Sequence, residues 1–190
     1  MFSLRSLFRT PPETETAQTL YAATIHAARR PEFYTVLEVP DTPEGRFEIL
    51  ALTAFLVLRR LKGEAAAKDV SQAYFDVMFD DIDSNLRELG VGDISVGKKV
   101  KKLAESFYGR IKAYEEALAV ATDSVEDDPL VQALERYPYR GTRPENAHVA
   151  TLAAHVRAAD AHLAAQDTAR LLDGQVTFAP VEVTGKAGRA

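Results

Sequence analysis

Hydrophobic residues recur at intervals of three and four along most of the chain, the spacing that places them on one face of an α-helix. The clearest stripe contains Phe75, Phe79, Ile82 and Leu86. The pattern predicts six helices, over residues 17–29, 43–61, 70–89, 96–121, 130–136 and 145–172. A short glycine-containing turn separates the third helix from the fourth, so these two are expected to form a central antiparallel αα-hairpin. The predicted fold class is therefore all-α, in a single domain.

The two ends of the chain lack this periodicity. Residues 1–16 contain two arginines among apolar side chains, and they are expected to form a flexible or membrane-surface segment. Residues 173–190 are expected to form a mobile C-terminal tail, which leaves residues 17–172 as the helical domain. The longest apolar run, Ile49–Leu58, is too short to cross a bilayer, which takes roughly 20 helical residues.

Composition limits the chemistry that the chain can perform. The 190 residues include no cysteine, which excludes disulfides, thiolate nucleophiles and cysteine-ligated metals and fits an intracellular compartment. The net charge of −5 disfavours nucleic acid as the main partner. His148, His155 and His162 recur every seven residues, about 10 Å apart along a helix, which is too far to share one ion. No metal site and no cofactor are predicted.

Charge is segregated between the two arms of the predicted hairpin. The first arm carries Asp76, Asp80, Asp83, Arg87 and Glu88, and the second begins with Lys98, Lys99, Lys101 and Lys102. Lysines in the first turns of a helix oppose its dipole. Antiparallel packing of the two arms is expected to bring the lysines near Asp83 and Glu88, whose negative charges offset the unfavourable interaction with the dipole.

The segment "GVGDISVGKK" (residues 90–99) is similar to a phosphate-binding loop, but it lacks the hydroxyl after Lys98 and follows a predicted helix rather than a strand. It is better interpreted as a turn, in which Gly90 and Gly92 are free to take left-handed backbone angles and Asp93 can cap the next helix. Two other interpretations of the hairpin stay open. Its aspartates suit magnesium in an all-α enzyme acting on a diphosphate, and its lysines suit a peripheral membrane-binding module.

Four segments carry a family resemblance. They are "ARRPEFYTVLEVPDTPEGRFEIL" (28–50), "LTAFLVLRRLKG" (52–63), "FDVMFDDIDSNLRELGVGDISVGKKVKK" (75–102) and "AESFYGRIKAYEEAL" (104–118). In this order they resemble the ubiquinol–cytochrome c chaperone family, over about residues 20–120. The structural motif residues are Pro40, Asp41, Gly45 and Arg46 in the first segment and Gly90, Gly92 and Asp93 in the third. Many members have histidine where this chain has Thr53.

The resemblance implies an assembly chaperone without enzymatic activity. Members bind newly made cytochrome b and support its assembly into the ubiquinol–cytochrome c reductase complex. Mitochondrial members work with a small helical co-chaperone near the ribosome exit. For this chain the resemblance implies a location in the bacterial cytoplasm beside the inner membrane, or on the matrix side of the mitochondrial inner membrane in a eukaryote.

A client-binding groove is the hypothesis that joins the resemblance to the residues. Its rim is expected to be the acidic stripe of the hairpin, by which we mean Asp76, Asp80, Asp83, Arg87 and Glu88. Its apolar walls are expected from Phe33, Tyr34 and Phe55. Arg46 is expected to have a structural role, paired with an aspartate of the stripe. The four lysines are expected to face anionic lipid.

Overall fold

The computed structural model describes residues 10–120, 122 and 124–182, and this part of the chain contains helices and no strand. The helices are α1 (Pro12–Ala28), α2 (Glu32–Thr35), α3 (Pro43–Leu61), α4 (Lys68–Glu88), α5 (Asp93–Leu118), α6 (Pro129–Arg136), α7 (Asn146–Ala164) and α8 (Thr168–Leu172). A 3-10 turn, Ala65–Ala67, precedes α4. The predicted all-α class and the central hairpin, formed by α4 and α5, are confirmed.

The helix boundaries differ from the prediction in three places. α1 begins at Pro12, inside the predicted N-terminal segment, because proline and Glu13 suit a first helical turn. α2 lies between the first two predicted helices, where the hydrophobic spacing predicts no helix. The last predicted helix is divided into α7 and α8, because the Arg60 side chain donates to the carbonyls of Leu163 and Gln166 and ends α7 there.

α3 lies at the centre of the fold, as its apolar residues in every direction predict. It begins where Thr42 accepts a hydrogen bond from the amide of Gly45 at 3.1 Å, with Pro43 in its first turn. One side of α3 packs in a core with α2, α6 and α7. The other side packs in a second core with α1, α4 and α5. α3 therefore holds the two halves of the domain together.

A buried ion pair joins α3 to α5. Glu48 and Arg110 are each only 6% exposed, and two guanidinium nitrogens donate to the two carboxylate oxygens, one of them at 2.6 Å. The guanidinium also lies over the rings of Phe47 and Tyr137, 5.6 and 4.9 Å from their centroids. Burial lowers the pKa of Arg110, but the hydrogen bond and charge of Glu48 outweigh burial and raise it above its ordinary value. Arg110 is therefore held in its charged form against Glu48.

Residues 173–182 contact the helical domain that precedes them. Arg30 donates to the carbonyls of Phe178 and Ala179, and Gln166 exchanges two hydrogen bonds with the backbone of Thr177, at 2.8 and 2.9 Å. Phe178 also packs against both cores. These residues, which begin the predicted C-terminal tail, are therefore held against the helical domain by side chains outside the tail. The rest of the predicted tail and residues 1–9 lie outside the described residues.

Substituting Glu48→Gln should destabilise the protein by about 3–5 kcal/mol, because Arg110 is then left buried without a countercharge. Chemical denaturation followed by circular dichroism measures the change in the free energy of unfolding. The double variant E48L/R110M should recover much of the loss, because it removes both charges together.

The control is Asp41→Asn, which removes an ion pair between exposed side chains, Asp41 and Arg46. Exposed pairs contribute little, so D41N should leave the denaturation midpoint unchanged. Equal effects of E48Q and D41N would contradict the structural role assigned to the buried pair.

Candidate functional site

The acidic stripe lies on the outward side of α4. Asp76 and Asp80 are exposed, and Asp76 accepts a hydrogen bond from Gln72 at 2.9 Å. Arg87 donates to Asp83 at 2.5 Å and also to Asp93 at the start of α5. The hydrogen bond to Asp83 raises the pKa of Arg87 above its ordinary value. Asp83 is therefore paired within the hairpin, whereas Asp76 and Asp80 face solvent.

An aromatic surface lies beside Asp76 and Asp80. Tyr108 of α5 is 58% exposed, and its ring stacks on Phe75 of α4 with centroids 5.4 Å apart. Phe75 in turn contacts Phe79, at 4.6 Å between centroids. We call Phe75, Asp76, Asp80 and Tyr108 the hairpin face. The sequence pattern placed Phe75 in a hydrophobic stripe and did not indicate Tyr108, because only the packing of α5 on α4 brings the two rings together.

The predicted apolar walls are not at this face. Phe33 is 4% exposed and packs edge-on against His155 of α7, while Phe55 is 1% exposed and packs against Tyr114. The Tyr34 hydroxyl donates to the carbonyl of Ala28 at 2.9 Å. Phe33 and Phe55 therefore belong to the core beside α7, and the structure does not bring them together with the acidic stripe.

The four predicted lysines, Lys98, Lys99, Lys101 and Lys102, are all exposed on α5. Lys101 approaches Glu105 of its own helix at 4.0 Å. Within the described residues none of the four pairs with Asp83 or Glu88, which corrects the expected cross-hairpin pairing. The carboxylate of Asp83 binds Arg87 instead, because that side chain lies one turn away on the same helix.

The turn between α4 and α5 follows the prediction only in part. Gly90 has φ of 82°, a left-handed angle that ends α4. Gly92 has φ of −64° and is the N-cap of α5, so it does not use left-handed freedom. Asp93 is the first residue of α5, and it binds Arg87 instead of capping the helix.

The first motif folds into a tight entry to α3. Thr42 donates its amide to the carbonyl of Pro40 at 2.9 Å, and this carbonyl faces Gly45 so closely that a Cβ there would lie 2.0 Å from its oxygen. Arg46 pairs with Asp41 at 2.5 Å. The hydrogen bond from Arg46 lowers the pKa of Asp41. The expected pairing of Arg46 with the acidic stripe is therefore wrong, because Asp41 of the same motif is its partner.

A cleft of about 390 Å³, which the sequence did not predict, lies between the end of α3, the start of α4 and the C-terminal part of α5. Apolar side chains that include Phe55 and Ile111 form its floor. Its rim includes Glu115, which binds Arg59 at 2.9 Å and Lys62 at 3.1 Å. Partial burial opposes the charge of Glu115, but these hydrogen bonds outweigh burial and lower its pKa.

Two further findings concern metals and membranes. Within residues 10–120, 122 and 124–182, no three histidine, aspartate or glutamate side chains are grouped closely enough to hold a metal ion. None of the helices in this part of the chain combines the length and apolar character needed to cross a bilayer.

Thr53, which stands where many members of the family have histidine, is buried in α3. Its hydroxyl donates to the carbonyl of Ile49 at 2.8 Å, inside α3.

The sequence model of the ubiquinol-cytochrome C chaperone family matches residues 35–178, more than half of the chain. The chain belongs to the ubiquinol–cytochrome c chaperone family. The matched range includes the entry to α3, the whole α4–α5 hairpin and α6 to α8.

Solved and curated relatives agree with this family. The crystal structure of the Cbp3 homolog from Brucella abortus superposes with a TM-score of 0.79 and 36% identity, covering 94% of this chain and 98% of that one. The ubiquinol-cytochrome c reductase complex assembly factor 1 of Homo sapiens is 25% identical over 164 residues, 85% of this chain and 53% of that protein. The Xenopus laevis protein of the same name is 23% identical over 115 residues, 60% of this chain and 54% of that protein. The chain spans about half the length of these curated relatives.

The family motif at the start of α3 yields a stability prediction. Gly45→Ala should destabilise the protein by about 1–3 kcal/mol, because the new methyl group meets the backbone carbonyl of Pro40, which cannot turn aside as a flexible side chain can. Thermal or denaturant unfolding measures the change.

The matched control is Gly97→Ala. Gly97 lies inside α5, and a Cβ there meets no atom within 4 Å. G97A should stabilise the protein, by up to about 1 kcal/mol, because alanine favours the helix over glycine. If G45A and G97A shifted stability in the same direction, the packing role of Gly45 would be wrong.

Proposed function

We propose that this protein is an assembly chaperone for ubiquinol–cytochrome c reductase that binds newly made cytochrome b before it joins the complex. The observation that carries the proposal is the family match over residues 35–178. The likeness to the Brucella abortus homolog along nearly its whole length supports it, as do the names of the two curated relatives. The chaperone acts by binding, without a chemical step.

The hairpin face is the proposed contact for the client. Cytochrome b is almost entirely membrane-spanning, so a helper outside the bilayer reaches its loops and emerging segments. Such segments carry an excess of lysine and arginine on the cytoplasmic or matrix side. Asp76 and Asp80 complement that charge, and Tyr108 stacked on Phe75 offers the aromatic contact that often dominates protein interfaces.

The proposed location follows from the proposed client. The protein works in the bacterial cytoplasm beside the inner membrane, or on the matrix side of the mitochondrial inner membrane in a eukaryote. A small helical co-chaperone and the ribosome are further proposed partners, which the family resemblance implies.

A capture experiment tests the client and the face together. The tagged full chain is used to isolate bound proteins from detergent-solubilised membranes, and cytochrome b is quantified by immunoblotting. The wild type should enrich cytochrome b, and D76K/D80K should reduce the yield at least about tenfold, because it places like charges opposite the basic client segments.

The control is E126K/E135K, which makes the same change in net charge at two exposed positions outside the hairpin. This variant should capture cytochrome b as the wild type does. Absence of cytochrome b from the wild-type sample would overturn the proposed client. Equal capture by D76K/D80K and E126K/E135K would overturn the proposed face alone.

A further inference from the structure

The tip of the α4–α5 hairpin exposes large aliphatic side chains. Ile94 is 90% exposed and Leu89 is 74% exposed, the highest values among the exposed large hydrophobic residues of the described chain. Val91, between them, is half-buried. Leu89 and Ile94 flank the turn at Gly90, and both lie outside the two cores. Two such residues at one projecting turn form an unpartnered apolar tip.

Basic residues follow the tip at a short distance. Lys98 and Lys102 lie about 6 and 12 Å beyond Ile94 along the helix axis. The headgroup layer of one leaflet is about 5–8 Å thick, and lysine side chains extend along an apolar surface to reach it. When Ile94 enters the boundary of the acyl chains, Lys98 is therefore at the level of the lipid phosphates, and Lys102 can reach them.

The acidic residues of the hairpin do not cancel the positive charge near the tip. Residues 83–102 contain five bases and three acids, a net charge of +2 in a chain of net charge −5. Arg87 binds two of these acids, Asp83 and Asp93, which leaves Glu88 as the third. Asp80 and Asp76 lie about 14 and 20 Å from Leu89 along α4, beyond a Debye length of about 8 Å.

We propose that the hairpin tip docks on an anionic membrane surface, with Leu89 and Ile94 entering the acyl boundary and Lys98, Lys99, Lys101 and Lys102 contacting lipid phosphates. The two signals are complementary, since apolar insertion and electrostatic attraction each give only weak binding alone. In this orientation the hairpin tip points into the bilayer, and the hairpin face lies above the lipid headgroups. Docking needs no client, so it is tested independently of the proposed function.

Vesicle co-sedimentation of the full chain tests this proposal. The probes are vesicles of phosphatidylcholine alone and vesicles of phosphatidylcholine mixed with phosphatidylglycerol. The wild type should bind the anionic vesicles at low ionic strength and be released by salt. L89S/I94S should weaken binding at least about tenfold, and K98Q/K99Q should weaken it about 25-fold, since each lysine near the surface contributes about fivefold.

Two matched controls separate the tip from the rest of the surface. V125S changes an exposed aliphatic residue after α5, and K68Q/K112Q removes two exposed lysines from other positions. Both should bind vesicles as the wild type does. All substituted positions are exposed, and unchanged melting temperatures confirm that the variants are folded.

Three results would overturn membrane docking by the tip. The first is no binding of the wild type to anionic vesicles at low ionic strength. The second is equal binding by L89S/I94S and V125S, which assigns adsorption to another part of the chain. The third is loss of cytochrome b capture by L89S/I94S with vesicle binding intact, which identifies the tip as a protein interface.

Discussion

The ion pair between Glu48 and Arg110 fixes the long helix α5 on the central helix α3. The pair is almost completely buried, so each charge depends on the other, and Phe47 and Tyr137 shield the guanidinium from water. α4 packs on both α1 and α5, so the position of α5 helps to fix that of α4. The hairpin face and the exposed tip inherit their geometry from this contact, although neither touches it.

Local signals in the sequence account for most of the fold. Apolar spacing gives the six longer helices, Thr42 and Pro43 mark the start of α3, and Gly90 ends α4. These features depend on residues within one or two turns, which a sequence displays directly. The packing of residues 173–182 depends instead on Arg30, 148 residues before Phe178, and on Gln166, 11 residues before Thr177, so no pattern within one or two turns predicts it.

The candidate site was less predictable for a related reason. Phe33 and Phe55 are apolar residues in motif segments, and the sequence does not reveal whether such residues face the core or a partner. Only the packing of α7 and α5 against them decides that they are buried. Tyr108 is the converse case, because nothing in the neighbouring sequence indicates that this side chain is exposed. One face of its ring stacks on Phe75 of α4, and the side chain is otherwise largely open to solvent.

The separation of charge along the hairpin is not explained by the stability of the hairpin itself. If the two arms had opposite charge in order to attract each other, ion pairs would connect them along their length. In the part of the chain that the structure describes, Arg87 and Asp93 connect the arms only at the turn, while Lys101 and Lys112 pair within α5. The unpaired charges face outward, so their arrangement acts on whatever approaches the hairpin. An acidic face above a basic, apolar tip suits a protein that holds a membrane subunit's basic segments close to the bilayer from which they extend.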